Sequence, residues 1–171
     1  MPGENPTLDG EMLQAIKDNI GKALTDLRDL SRSMNSEYIR MRPIHETLQS
    51  EIERINRTGI LHAMVTSAGQ QKEMEPSKKL ILFRIVQESI QNCLKHAEAE
   101  KLTIHIDYQD TTVSVLVENN GKGFDMSNAV KPGWGQGLIN MQTRVRLTGG
   151  SCKIDSAMQK GTKIFFRIPY E

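Results

Sequence analysis

The sequence predicts an α+β domain, a helical layer over a mixed β-sheet, with a long helix in front of it. Three patterns carry this expectation. Residues 101–109 with 112–119, and 151–157 with 162–169, alternate apolar and polar in the manner of paired strands with one buried face. Phe83, Ile85, Val86, Ile90 and Leu94 instead recur at roughly helical spacing. Strands and helices that are each apolar on one side bury those sides against one another, which gives a two-layer domain.

Taken in order, residues 1–7 hold two prolines and a glycine and are expected to be disordered. Leu8 to Met34 reads as a helix whose stripe, Leu13, Ile16, Ile20, Leu24, Leu27 and Leu30, is close to a heptad seam. A single helix cannot bury such a stripe by itself, so it needs a partner: the domain behind it, or a helix from this chain or another. A helix over 44–58 and a strand over 60–67 follow. The helix holding the Phe83 group is expected over 77–97. Gln109-Asp110-Thr111 makes a hairpin between strands 101–109 and 112–119. There Val113, Val115 and Val117 share one face. A loop and lid occupy 120–136, with Trp134 as a mobile cover or, alternatively, a core residue, and a helix spans 137–148. The last two strands, with Ile164, Phe166 and Ile168 on one face, join through the Gln159-Lys160-Gly161 turn. The chain divides into residues 1–40 and a main domain over 41–171.

Composition narrows the function classes. The 171 residues allow one ordinary domain plus an appendage. A net charge of +1 with 25% charged residues argues against a nucleic-acid partner. Cys93 and Cys152 have apolar neighbours and no metal-ligand spacing, so both are expected as reduced thiols. No run reaches the ~18 apolar residues of a membrane helix, and no signal peptide is visible. The reading is a cytoplasmic chain without direct membrane contact, or the cytoplasmic end of a larger membrane-bound protein.

The chemistry-bearing stretch is Glu88-Ser-Ile-Gln-Asn92-Cys-Leu-Lys95-His96-Ala97. On a helix, Glu88 and Asn92 lie on one face. Asn92 Oδ1 is a hard oxygen ligand suited to Mg²⁺, which also takes phosphate oxygens and water. Glu88 can orient a water or accept a proton beside it. Taken alone, this pair also fits a solvated helix face. Two glycine-rich segments follow, Asn119-Asn120-Gly121-Lys122-Gly123-Phe124-Asp125 and Gly133-Trp134-Gly135-Gln-Gly137-Leu138. Glycines before a helix let backbone amides approach phosphate, and the helix N-terminus favours negative charge. Neither segment is a Walker loop or a dinucleotide fingerprint.

The motifs in this order, closing with Gly149-Gly150 and Gly161-Thr162, resemble the ATP-binding domain of bacterial sensor histidine kinases. The likeness is to the branch with nitrate-sensor and membrane-fluidity-sensor kinases, in a superfamily that includes gyrase and MutL ATPases. It covers roughly residues 44–169. The resemblance implies the left-handed α/β sandwich called the Bergerat fold. It implies ATP between the helical layer and the lid, with Asn92 on Mg²⁺ and Glu88 as base or water-orienting residue. Lys95 and His96 would reach phosphate; a solvated surface and a capping or packing role, respectively, are their alternatives. Gly121 and Gly123 would let backbone approach the adenine side. Gly135, Gly137 and Leu138 would shape the lid hinge and expose amides. Thr162 would support the adenine pocket.

One position departs from the family. Where Asp is usual, accepting a hydrogen bond from the adenine amino group, this chain has Asn119. A neutral acceptor makes the weaker bond, so ATP is expected to bind less tightly. Leu27 to Asn35 is similar to the end of a kinase dimerisation helix, which implies a homodimer. His45-Glu46 has the dipeptide form of a phosphoacceptor, but it falls in the expected first helix of the ATP domain. The expected function is therefore the catalytic ATP-binding fragment of a two-component kinase. It would phosphorylate a histidine outside this chain for relay to a response regulator. The alternatives are a non-catalytic nucleotide-binding or dimerisation module, and an anti-sigma-type protein-serine kinase.

Overall fold

The computed structural model describes residues 10–128 and 135–171. Residues 129–134 of the expected loop and lid, Gly133 and Trp134 among them, and residues 1–9 lie outside the described residues. A 25-residue helix α1 (Gly10–Met34) is followed by short α2 (Ser36–Met41), α3 (Ile44–Asn56) and strand β1 (His62–Gly69). Helix α4 (Pro76–Asn92) leads to β2 (Lys101–Tyr108) and β3 (Thr112–Asn119), then α5 (Gln136–Leu147), β4 (Ser151–Ser156) and β5 (Thr162–Pro169). The five strands form one mixed sheet in the order β1-β2-β3-β5-β4. Strands β1 and β2 are parallel, with α4 as the connection between them, and every other pair is antiparallel. This is the α+β, two-layer arrangement expected.

The alternation does what the pattern requires. Ile104 and Ile106 of β2, Val113, Val115 and Val117 of β3, and Ile164, Phe166 and Ile168 of β5 are buried. They meet Leu48, Ile52 and Ile55 of α3, Leu82, Phe83, Ile85, Val86 and Ile90 of α4, and Met141 and Val145 of α5 in one core. Polar residues between them, such as Lys163 and Glu118, face away and pair at 2.9 Å. The Tyr108–Thr112 hairpin closes with Gln109 N–H donating to Thr112 O at 3.0 Å.

Several boundaries move, each for a local reason. Strand β1 starts at His62 rather than residue 60, after Gly59 turns the chain with φ +69. The Asn56 amide then pins Ala63 at both ends, donating to its carbonyl at 2.8 Å and accepting from its N–H at 2.7 Å. Helix α2 had no counterpart in the sequence reading. Asn35 Oδ1 caps it by accepting from the Glu37 and Tyr38 N–H groups. Its Ile39 is fully buried in the same core as Ile44 and Leu48, and Lys79 Nζ reaches the Arg40 carbonyl at 3.0 Å. The last residues of the expected 1–40 segment thus pack with the sheet domain.

Helix α1 leaves its stripe open. Leu13, Ile16, Ile20, Leu24 and Leu27 are 40–63% exposed; the Leu30 side chain lies outside the described set. Among the described residues no helix is long and apolar enough to cross a membrane.

Candidate nucleotide site

Helix α4 begins with Pro76 in its first turn, where a missing N–H costs nothing. It carries Glu88 and Asn92 to its C-terminal end. The sequence expectation was one α-helix to residue 97. The regular winding instead stops at Asn92, and Cys93–Ala97 form a π-helical turn. A π turn accommodates an extra residue and shifts every following side chain around the axis. The chain leaves it at Glu98 in the left-handed region, φ 51. The freed Ala97 carbonyl accepts the Lys122 N–H at 2.7 Å. Gly121 lies against that same carbonyl, where a Cβ could not fit. Its lack of a side chain joins the first glycine loop to the end of the π turn. Gly121 is buried behind the cleft wall, whereas Gly123 (φ +61) lines the cleft.

That cleft, about 620 Å³, opens between the end of α4, the start of α5 and the ends of β3 and β5. Of the residues singled out in the sequence, Asn92, Lys95, His96, Asn119, Gly123, Gly135, Gly137, Leu138 and Thr162 line it. Glu88 joins them through Gly137. A Cβ built on Gly137 would fall on Glu88 Oε1 and lie 3.5 Å from Asn92 Nδ2. The start of α5 therefore rests on the two polar side chains of α4. Gly135 caps α5 in the left-handed region, φ 70, a conformation glycine adopts without penalty.

The rim is cationic. Lys95 and His96 are exposed beside the opening, with Lys122 near them. Lys122 pairs with Glu98 at 2.7 Å, and this hydrogen bond and charge hold the Glu98 carboxyl below its ordinary range. Cys93 lines the cleft as a free thiol, pushed up to about 11 by burial, and half-buried Cys152 is also free. At the floor, Asn119 and Thr162 are cross-strand neighbours of β3 and β5. Asn119 Oδ1 accepts the Gly121 N–H at 3.0 Å.

Ser156 escaped the sequence reading. Its Oγ accepts from Phe124 N–H at 3.0 Å, donates to the Gly161 carbonyl at 2.9 Å and touches Thr162 Oγ1 at 2.9 Å. It ties the first glycine loop to the β4–β5 hairpin. A serine at a strand end carries no sequence signal of such a role. Lys122 was visible only as the variable residue between two glycines.

A helical layer on a mixed sheet, with a glycine-flanked cleft at the end of one helix, defines a nucleotide-binding ATPase domain. The family described as histidine kinase-, DNA gyrase B- and HSP90-like ATPase matches residues 77–171. The chain belongs to this family, and its domain is the ATP-binding domain of the sensor histidine kinases. It is 34% identical over 110 residues to the signal transduction histidine-protein kinase/phosphatase DegS of Bacillus subtilis, covering 64% of this chain and 29% of that protein. The corresponding protein of Brevibacillus brevis is 28% identical over 96% of this chain and 46% of its own length. The chain thus spans less than half the length of these curated relatives. Among solved structures, the histidine kinase domain of the Erythrobacter litoralis EL346 blue-light activated histidine kinase superposes with TM-score 0.66 at 16% identity, over 83% of this chain and 75% of that one. The ATP-binding domain of PrrB from Mycobacterium tuberculosis gives 0.56 at 17%, over 76% and 96%. At these identities the likeness is one of fold.

Proposed function

We propose that this chain is the catalytic ATP-binding part of a two-component sensor histidine kinase. It transfers the γ-phosphoryl group of ATP to a histidine carried on a separate helical element, for relay to a response regulator. The observation that carries this reading is the seating of α5 at Gly137 directly on Glu88 and Asn92. It sets the Glu88 carboxylate and the Asn92 side-chain amide against the N-terminal end of a helix, beside the cleft that Asn92, Gly137 and Leu138 line.

The residues fit magnesium as well as nucleotide. Among the described residues no cluster of three His, Cys, Asp or Glu could hold a metal alone. Magnesium needs no such cluster, because it takes one or two protein oxygens together with phosphates and water. Asn92 Oδ1 supplies such an oxygen. Bound with the nucleotide, the ion would supply neutralising charge to the phosphates. The first amides of α5, from Gln136 to Leu138, attract the phosphate oxygens. Lys95 and Lys122 add positive charge at the rim, and His96 a ring nitrogen beside them. Asn119 and Thr162 hold the base. Glu88 accepts or orients the proton of the attacking imidazole as the phosphorus–oxygen bond to ADP breaks and the phosphorus–nitrogen bond forms. Positioning and electrostatics make up most of the catalysis in such transfers.

The exposed stripe of α1 supports a homodimer through that helix, in front of an ATP-binding domain that takes in α2. A cytoplasmic setting follows from the need for ATP and a response regulator. The test is to mix the chain with an isolated acceptor-helix hairpin and Mg-ATP, then assay acid-labile phosphate on the hairpin. Labelling that disappears in Asn92→Ala supports the kinase reading. Mg-ATP binding without any labelling would favour a non-catalytic nucleotide-binding module, and acid-stable phosphate a serine kinase.

A further inference from the structure

We propose that Ser156 is a positioning residue for nucleotide binding, one that sets the shape of the cleft through Phe124 and Thr162 without lining it. The inference rests on the nucleotide reading above and needs no particular pose of the base. Three observations carry it: the saturation of one hydroxyl, the place of its partners on the cleft wall, and the seating of the first glycine loop on the β4–β5 hairpin.

Ser156 Oγ has one proton and two lone pairs. The Gly161 carbonyl can only accept, so it takes the proton at 2.9 Å. The Phe124 N–H can only donate, so it occupies one lone pair at 3.0 Å. The 2.9 Å contact with Thr162 Oγ1 is then made by the Thr162 proton on the second lone pair. One oxygen thus fixes a backbone donor, a backbone acceptor and the rotation of a second hydroxyl. No capacity remains on it for a ligand, so it can act only through its partners. Among side chains this short, only a hydroxyl offers one good donor and two acceptor sites at a single atom.

Those partners form the cleft. Phe124 and Thr162 both line it, and Ser156 does not. Phe124 belongs to the first glycine loop, Thr162 opens β5 and Ser156 closes β4. The loop also rests on the hairpin at two backbone positions. Lys122 O accepts the Gln159 N–H at 2.6 Å, and a Cβ on Gly123 would fall on the Ala157 and Gly161 carbonyl oxygens. These contacts seat Lys122 and Gly123, but the Phe124 N–H depends on Ser156 alone. Without the hydroxyl that part-buried N–H has no acceptor, and lifting the loop into water relieves it. The cleft wall must then be re-formed as nucleotide enters, and ordering a loop on binding lowers affinity.

The experiment compares two side chains of equal shape. Ser156→Thr keeps the hydroxyl, and Ser156→Val replaces it with a methyl group. Mg-ADP is titrated calorimetrically into the parent and both variants, well below their melting temperatures. Ser156→Thr should bind within about threefold of the parent and Ser156→Val about tenfold more weakly, the effect of one unmatched part-buried N–H. Ser156→Ala removes the oxygen without adding bulk and should show the same loss, so the result does not hang on how valine fits. Ile55→Val, at a buried position of α3 outside the cleft lining, reports lost stability alone. It should melt lower and bind Mg-ADP as the parent does. If Ser156→Val and Ser156→Ala also melt lower yet bind like the parent, the inference is overturned and the nucleotide site stands. A parent chain that does not bind Mg-ADP overturns the nucleotide reading itself, and this inference with it.

Discussion

Gly137→Ala separates the site from the scaffold. A methyl group at Gly137 would overlap Glu88 Oε1 and lie 3.4 Å from Glu88 Cδ and 3.5 Å from Asn92 Nδ2. These three nearest neighbours are all side-chain atoms, and Gly137 is not among the glycines with positive φ. Alanine in a helix is favoured over glycine by up to about 1 kcal/mol. Swinging the half-buried Glu88 carboxylate aside costs about 0.5–1.5 kcal/mol in rotamer strain. These terms nearly cancel, so the melting temperature should stay within about 4 °C of the parent. Function should not stay. Glu88 is pushed out of register with Asn92 and the first amides of α5, and a misplacement near 1 Å costs on the order of 10²-fold in rate. The assay pairs thermal melting with acceptor-hairpin phosphorylation and Mg-ADP titration. Replacing Glu88 by Ala in the same chain removes the overlap, so Glu88→Ala/Gly137→Ala should bind Mg-ADP as well as Glu88→Ala alone. An alanine at Gly137 that leaves both activity and affinity unchanged would refute the reasoning. So would a binding defect that persists in the double variant.

Other expectations follow from the same geometry. Phe166→Ala removes a fully buried side chain of β5; it should cost about 3–5 kcal/mol in urea unfolding without changing which ligands bind. Burial holds both thiols near 11, above their ordinary 9.0. The folded state thus keeps these protons more tightly than the unfolded chain. Their contribution to stability is intact below pH 9 and is lost as pH rises toward 11, which a pH series of melts will show. Iodoacetamide labelling of Cys93 should be slow at pH 8, where only about 10⁻³ is thiolate, and slower still with nucleotide in the cleft it lines. Ser156→Ala should loosen the first glycine loop, seen as faster amide exchange at Phe124, because that N–H loses its acceptor.

The parts of the fold that repeat were readable. Ile164, Phe166 and Ile168 alternate without interruption, and the structure buries all three on one face. Glu88 and Asn92 stand four apart on a helix, and both meet Gly137. Single hydrogen bonds and close approaches have no such period. Nothing in Cys93-Leu-Lys95-His96-Ala97 marks the change from α to π winding. That change depends on the Ala97 carbonyl meeting Lys122 and on Gly121 fitting beneath it, contacts made across 24 or more residues. Ser156 gains its role only because a hairpin brings it to Thr162 and Phe124. Helix α2 was legible in retrospect from Asn35 before Ser-Glu, a capping signal too short to outweigh the longer helix before it.

The central claim is that α4 and α5 together form a magnesium-nucleotide site. Calorimetric titration of the parent and of Asn92→Ala with a non-hydrolysable ATP analogue, with and without magnesium, tests it most directly. Binding by the parent should strengthen with magnesium, and that magnesium dependence should be lost in Asn92→Ala. An alanine variant that binds the magnesium complex as the parent does would contradict the site.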